Sequence, residues 1–303
     1  MTELTDFQKK IRSFLPEIEC RFEEPMAKHT SFRIGGAVEV MAFPKDAEQL
    51  VQLLKTSVLL DVKPRILGAG TNVLARDTRM EGLVICLKDG LDGMELLPGN
   101  RIRVSSGVTM TRAAMFAANQ GLSGLEFAHG IPGTVGGGVY MNAGAYGGEL
   151  CQVVESAQVM DFSGNLRELT CEELDFSYRH SVLEDTAGIV VSAVFQLTPE
   201  DPQVIKEKMK ELMGKRSASQ PLDLPSAGSA FKRPVGGYAA ALIEQTGLKG
   251  YRVGDAAISQ KHAGFAVNLG HATAQEVRTL LTEVSEQVFK NTGIRLEPEI
   301  RIW

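Results

Sequence analysis

HGIPGTVGGGVYMNAGAYGGEL, residues 129–150, carries eight glycines in twenty-two positions and hardly a charge. Glycine inside a regular element costs roughly 0.5–1 kcal/mol relative to alanine. The stretch therefore reads against an ordinary helix or strand. Two readings compete. One is a run of tight turns. The other is backbone that lies directly against a bound group, where side chains would intrude.

A second glycine loop lies some sixty residues upstream. LGAGTNVL, residues 67–74, follows a short strand, Arg65–Leu67. GAGTNV has the first two glycines of GxGxxG and a valine where the third belongs, so a tight turn is an equal reading. Gly214-Lys215 is followed by Arg216 and lacks the upstream glycine of a P-loop, which excludes that motif. Two separated loops suit a clamp on a long dinucleotide, with backbone N–H groups on its pyrophosphate. Thr71, Asn72 and Asn142 would add side-chain hydrogen bonds. The residues alone specify a bulky anionic cofactor and do not name it.

The surroundings are those of a globular protein. The chain has 303 residues, 44% hydrophobic and 23% charged, with a net charge of −5; this length suggests two domains. No basic block appears, so a nucleic-acid partner lacks electrostatic support. Cys20, Cys86, Cys151 and Cys171 show no CxxC or metal-ligand spacing. They read as small buried hydrophobes, and no metal is expected. The N-terminus has no apolar signal core and no run reaches membrane-spanning length. A cytoplasmic, reduced location without membrane insertion is the expectation.

Along the chain, residues 6–15 predict a short amphipathic helix and 37–43 a strand. Asp46 with Gln49 resembles a capping box before the stripe Leu50, Val51, Leu53 and Leu54. Strands are predicted at 83–87 and 102–110, then a helix ending at Gly121, then strands at 153–162 and 188–197. Asp201 and Pro202 open a helix that is expected to stop at Gly214. Another helix is predicted at 238–247. Thr273 and Glu276 form a capping box for a helix burying Val277, Leu280, Leu281, Val284 and Val288. IRLEPEIRIW closes the chain as an alternating strand. The fold class is α+β, with a boundary near residue 200.

Seven motifs in order give the chain a resemblance over nearly its whole length. They are KHTSFRIGG (28–36), LGAGTNVL (67–74), GLEFAHGIPGTVGGGVYMNAGAYGG (124–148), YRHS (178–181), AGSAFKRP (227–234), KHAGFAVN (261–268) and LEPEIR (296–301). The chain resembles the UDP-N-acetylenolpyruvoylglucosamine reductase family of bacterial cell-wall synthesis. The resemblance implies a two-lobed FAD-binding domain of the vanillyl-alcohol-oxidase (PCMH) type over 1–200, its lobes splitting near residue 90. A smaller α+β domain over 201–303 would bind the UDP-sugar, its last strand returning to the active site. The implied reaction is reduction of UDP-N-acetylglucosamine enolpyruvate to UDP-N-acetylmuramate, with NADPH as reductant. A monomer is expected.

By the same resemblance, Gly68, Ala69, Gly70, Thr71, Asn72, Gly130, Ile131, Pro132, Thr134, Gly136, Gly137, Asn142 and Ala143 would line FAD. Arg179 matches the catalytic arginine, Ser229 the proton donor and Glu299 the catalytic glutamate. Tyr178, Lys232, Arg233, Gln260, His262 and Asn268 are candidates for the UDP-sugar and nicotinamide. His262 reads equally well as a structural histidine. Thr71, Gly138 and Arg233 depart from the commoner serine, alanine and asparagine. A short VLEDTAG turn after YRHS marks the compact type, without an extra tyrosine loop. Competing readings are a flavoenzyme of this fold acting on another alcohol or hydroxy acid, and a UDP-sugar-binding module without flavin.

Overall fold

A computed structural model describes residues 3–303. Packing divides the chain into two units. The first comprises Met1–Glu23, Glu39–Ala69 and Glu81–Gly214; the second comprises Glu24–Val38, Gly70–Met80 and Lys215–Trp303.

The first unit contains a five-stranded antiparallel sheet in the order Leu166–Thr170, Val154–Met160, Ile189–Gln196, Arg101–Ser105 and Met94–Leu97. Its middle strand reads IVVSAVFQ, and every residue but Gln196 is buried. Such a run is what a strand covered on both faces requires. Val190, Ala193 and Phe195 pack with Val135, Val139 and Ala113. Ile189 and Val191 pack instead with Leu53, Leu54 and Ile85. Those three belong to helix Ala47–Leu59 and strand Met80–Cys86, part of a sheet ordered Glu19–Pro25, Ala37–Phe43, Met80–Cys86 and Arg65–Leu67. Asp46 caps the helix by accepting from the Gln49 amide at 2.8 Å.

In the second unit, a four-stranded antiparallel sheet runs Ser226–Ser229, Phe265–Asn268, Ala256–Ile258 and Arg252–Val253. Helix Ala274–Thr292 buries Val277, Leu280, Leu281, Val284 and Val288, the face its spacing predicts. Asp77 accepts from the amides of Ala274 and Gln275 at 2.7 and 3.1 Å. That carboxylate ties segment 70–80 to the helix N-terminus, where its charge is favourable. Arg301–Ile302 pairs in parallel with Val73–Leu74.

Several elements differ from the sequence reading. Residues 135–140 form a helix despite three glycines, capped by Thr134, whose Oγ1 accepts from Gly137 N at 3.4 Å. Close packing explains the composition: a β-carbon on Gly136 would lie 2.7 Å from Ser106 Cβ, and one on Gly138 2.9 Å from Met110 Sδ. The helix from Pro202 runs through Gly214 to Ser219. Good helix formers follow the glycine, and the stop comes only before Pro221. One division between the compact units falls at Gly214–Lys215, within that helix. The C-terminal segment is a strand only at Arg301–Ile302; before it lies an irregular run with one bridge, Phe231 to Pro298. Pro298 has no N–H to continue a ladder. Among the described residues no helix is long and apolar enough to cross a membrane.

The capping box of the long helix is complete: Thr273 Oγ1 accepts from Glu276 N at 3.1 Å, and Thr273 N donates to Glu276 Oε2 at 3.0 Å. Thr273→Ala is expected to lower unfolding stability by about 1 kcal/mol, and Thr273→Ser to retain it. Urea melts of the three proteins check this.

Candidate functional site

The two glycine loops meet in the first unit. A β-carbon on Gly68 would lie 2.6 Å from Thr134 Oγ1, so only glycine admits this approach. Gly137 is exposed, and a β-carbon there would meet Thr134 Oγ1 at 3.6 Å, an ordinary contact. Gly130 N donates to Thr111 Oγ1 at 3.3 Å and Gly130 holds φ +89°. Ile131 and Ala143 pack against the apolar core, while Pro132 is exposed. Two polar atoms here are buried without a protein partner, Ser106 Oγ and His129 Nδ1. Ser106 stands against Gly136, and His129 immediately precedes Gly130. Burial holds the His129 ring below the ordinary value. Buried polar atoms without a partner are uncommon and mark a place for a ligand's polar groups. Bare glycine backbone and unmatched donors and acceptors suit a flavin dinucleotide. Sequence reasoning missed Ser106 and His129; the available signals were a Ser-Ser-Gly turn at a strand end and a histidine opening the glycine run.

Asn142 was expected to face the cofactor. Its carboxamide is instead engaged by protein. Nδ2 donates to Ser177 O at 3.0 Å and Glu149 Oε2 at 3.1 Å, and Oδ1 accepts from Cys151 N at 3.0 Å.

Arg179 also belongs to the first unit. It sits in a tight turn in which Ser177 and His180 exchange backbone hydrogen bonds at 3.1 and 3.2 Å. Its φ of +57° is the left-handed region, costing an arginine about 1 kcal/mol. The half-buried guanidinium donates from Nη2 to Gly144 O at 3.1 Å and lies 5.0 Å from the Tyr178 ring centroid. His180 faces Glu184 and Asp185 at 3.3 and 3.2 Å.

The second unit gathers four segments remote in sequence. Ser229 is exposed at the end of its strand, opposite Phe265, after Gly228 at φ +75°. Ala230 N donates to Gly264 O at 2.8 Å, and Glu299 N donates to Ala230 O at 2.9 Å. Ser229 and Glu299 therefore flank one backbone junction. Asn72 Nδ2 donates to Glu299 O at 3.2 Å, and Arg301 N to Asn72 O at 2.9 Å. Gly70 is obligatory beside Asn72 and Thr71: at φ +62°, a β-carbon would lie 2.0 Å from His29 O. Ala69 ends the first unit and Gly70 begins the second. Glu299 is half-buried, whereas Glu297 is exposed and reaches Lys232 Nζ at 3.5 Å.

The other substrate candidates divide. Arg233 lies over the Tyr238 ring at 4.7 Å in an exposed loop. Gln260 is exposed and lies across Gly250. Asn268 is 2% exposed and engaged by protein: it donates to Phe32 O at 3.0 Å and accepts from Gly270 N and Ala272 N at 2.8 and 3.0 Å. It holds segment 24–38 against the sheet, which is a structural duty. His262 Nδ1 accepts from Gly264 N at 3.1 Å, and the ring meets Phe265 edge-on at 5.1 Å. The neutral ring thus carries its proton on Nε2.

Burial lowers the His262 pKa from its ordinary 6.5. The unfolded chain then binds a proton near pH 6.5 that the folded chain refuses, so stability falls as pH drops through that value. His262→Gln is expected to flatten this acid-side loss, with the amide acceptor retained. Urea midpoints at pH 7.5 and 5.5 for both proteins measure it.

Residues 38–170 match a family model described as FAD binding domain, and residues 220–303 match one described as UDP-N-acetylenolpyruvoylglucosamine reductase, C-terminal domain. A UDP-N-acetylenolpyruvoylglucosamine reductase of Agathobacter rectalis is 44% identical, covering 98% of this chain and 98% of its own. One of Lactococcus lactis subsp. cremoris is 42% identical over 95% and 96%. The crystal structure of the reductase from Thermus caldophilus superposes with a TM-score of 0.80 at 34% identity, over 95% of this chain and 99% of that one. Identity of this order, end to end and in both halves, shows that the chain belongs to the UDP-N-acetylenolpyruvoylglucosamine reductase family.

Proposed function

We propose that this chain reduces UDP-N-acetylglucosamine enolpyruvate to UDP-N-acetylmuramate in peptidoglycan precursor synthesis, with FAD as resident cofactor and NADPH as reductant. The observation that carries the reading beyond family membership is the Arg179 turn. A strained arginine is held by its own side chain to Gly144 of the glycine-rich segment, and strain of this kind persists where function requires it. The use of a nucleotide sugar and NADPH supports a cytoplasmic reaction.

Gly68, Gly136 and Gly137 would hold FAD against backbone, with Thr134, Ser106 and His129 offering polar groups. When bound, FAD supplies hydride transfer between NADPH and the substrate. The protein's part is electrostatic and protonic. Reduction of the enolpyruvyl double bond places negative charge beside the substrate carboxylate. Arg179 can hold that carboxylate with two parallel N–H donors, which a lysine cannot match. Such a preset cation stabilises charge as it develops. Ser229 would deliver the proton to the adjacent carbon from Oγ. A serine hydroxyl is a weak acid, so its proton must be replaced at once; its exposure leaves it open to solvent for that purpose. Glu299, half-buried and held by backbone bonds on each side, would polarise the carboxylate or hold a proton there. Lys232 and Arg233 would meet the diphosphate by charge.

An anaerobic absorbance trace tests the reading. Flavin bands are expected to bleach with NADPH and return on adding the enolpyruvyl sugar. Ser229→Ala should slow that return by roughly 10²- to 10⁴-fold, and Arg179→Ala by roughly 10²- to 10³-fold. A reduced flavin indifferent to the sugar would overturn the substrate reading and favour another alcohol or hydroxy acid. Failure to load any flavin would overturn the cofactor reading.

A further inference from the structure

The turn bearing Arg179 is fastened to the glycine-rich segment at three alternate residues, all inside the first unit. Ser181, 0% exposed, donates from Oγ to Tyr140 O at 2.8 Å. Asn142 donates to Ser177 O at 3.0 Å. Arg179 itself donates to Gly144 O at 3.1 Å. The middle tie is different in kind. Asn142 is 1% exposed and its side chain joins three places at once: Ser177, Glu149 and the amide of Cys151.

We propose that Asn142 is a positioning residue for Arg179, an inference that rests on the carboxylate-binding role given to Arg179 above. The turn has little apolar burial of its own, since Ser177 and Tyr178 are exposed. A left-handed arginine in such a turn relaxes unless its surroundings over-determine it. Asn142 supplies that determination from the buried side. It fixes the carbonyl that opens the turn, and its own backbone lies two residues before Gly144, the acceptor of the guanidinium. Displacing Asn142 therefore moves both the base of the arginine and the anchor of its tip. Both carboxamide hydrogens are used in this role, which leaves the side chain no donor for the flavin. Asn142 tolerates its own φ of +43° because asparagine enters this region more readily than most residues.

Two substitutions separate the side chain from the backbone. Asn142→Asp keeps the shape and the acceptor for Cys151 N and removes the donors. Asn142→Gly keeps the left-handed backbone and removes the whole carboxamide. Each is made in the flavin-loaded full chain, alone and with Arg179→Ala. The readouts are bound flavin, thermal midpoint, and the rate at which the enolpyruvyl sugar restores the flavin bands at saturating and limiting concentration. The single variants are expected to retain flavin and to lose roughly 10²-fold in that rate at saturation, the usual cost of misplacing a reacting group by about 1 Å. In the Arg179→Ala background the same changes should cost no more than about threefold, because the group they position is gone.

Penalties that multiply in the double variants would overturn the proposal. So would loss of flavin or folding in both single variants with a normal rate per bound flavin, which is what a merely structural residue gives. Should Asn142→Asp fail to fold, Asn142→Gly and Ser181→Ala in the same cycle decide. An Arg179→Ala enzyme that restores its flavin at the normal rate would instead overturn the role given to Arg179, and is thereby distinguished from failure of the positioning.

Discussion

A hydroxyl oxygen where a β-carbon would have to be sets the terms for the first unit. Thr134 Oγ1 stands 2.6 Å from the place a side chain would leave Gly68. That contact brings the end of strand Arg65–Leu67 against the start of helix Val135–Tyr140, joining parts of the chain more than sixty residues apart. The same threonine caps the helix, so one small polar residue fixes the helix start and the closeness of the loops together. Gly136 and Gly138 extend the constraint by letting that helix settle on Ser106 and Met110. The cost of three helical glycines, about 1 kcal/mol each, is borne because packing at this separation is impossible with side chains. The exposed backbone left beside them is then available to a ligand.

The legible parts of the fold were those governed by short-range rules. Asp46 and Thr273 each precede a helix that begins where the cap predicts, whereas the strand expected at 102–110 ends at Ser105 and gives way to a helix capped by Thr109. The stripes behind them, such as Val277 to Val288, are buried as their spacing requires. What the sequence hid was long-range competition with local preference. Helix 135–140 forms against its glycines because sheet packing outweighs propensity. The helix from Pro202 ignores Gly214 because its neighbours favour continuation. The recruitment of segments 24–38 and 70–80 into the second unit is carried by Asn268 and Asp77 through bonds to residues some two hundred positions away. No local pattern announces such partners. Of the three asparagines expected to face ligands, Asn142 and Asn268 are buried and engaged by protein, as polar side chains in an interior must be.

Chemistry was legible in a different way. Neither the strained φ of Arg179 nor the shared junction of Ser229 and Glu299 could be foreseen from spacing, because each depends on backbone hydrogen bonds between distant segments. The motifs pointed to the residues; only the structure shows how they are held. Arg179 is held by a turn and by its own guanidinium. Ser229 and Glu299 are held by main-chain bonds through Ala230, which leaves both side chains outside the ladder that fixes them.

The two units use different devices to hold the groups proposed to react. In the second, main-chain bonds through Ala230 anchor the backbone that carries Ser229 and Glu299. In the first, the guanidinium itself is an anchor, because a long side chain has more rotamers to restrain than a serine does. Binding a carboxylate requires the two outer nitrogens of an arginine to point together. The hydrogen bond from Nη2 to Gly144 O removes much of that freedom beforehand. Preorganisation of this sort raises the rate only if the anchor does not move when charge appears. The buried carboxamide of Asn142, bonded to Ser177 O before the arginine, and the buried hydroxyl of Ser181 after it, bonded to Tyr140 O of the glycine-rich segment, are the kind of support that keeps it still.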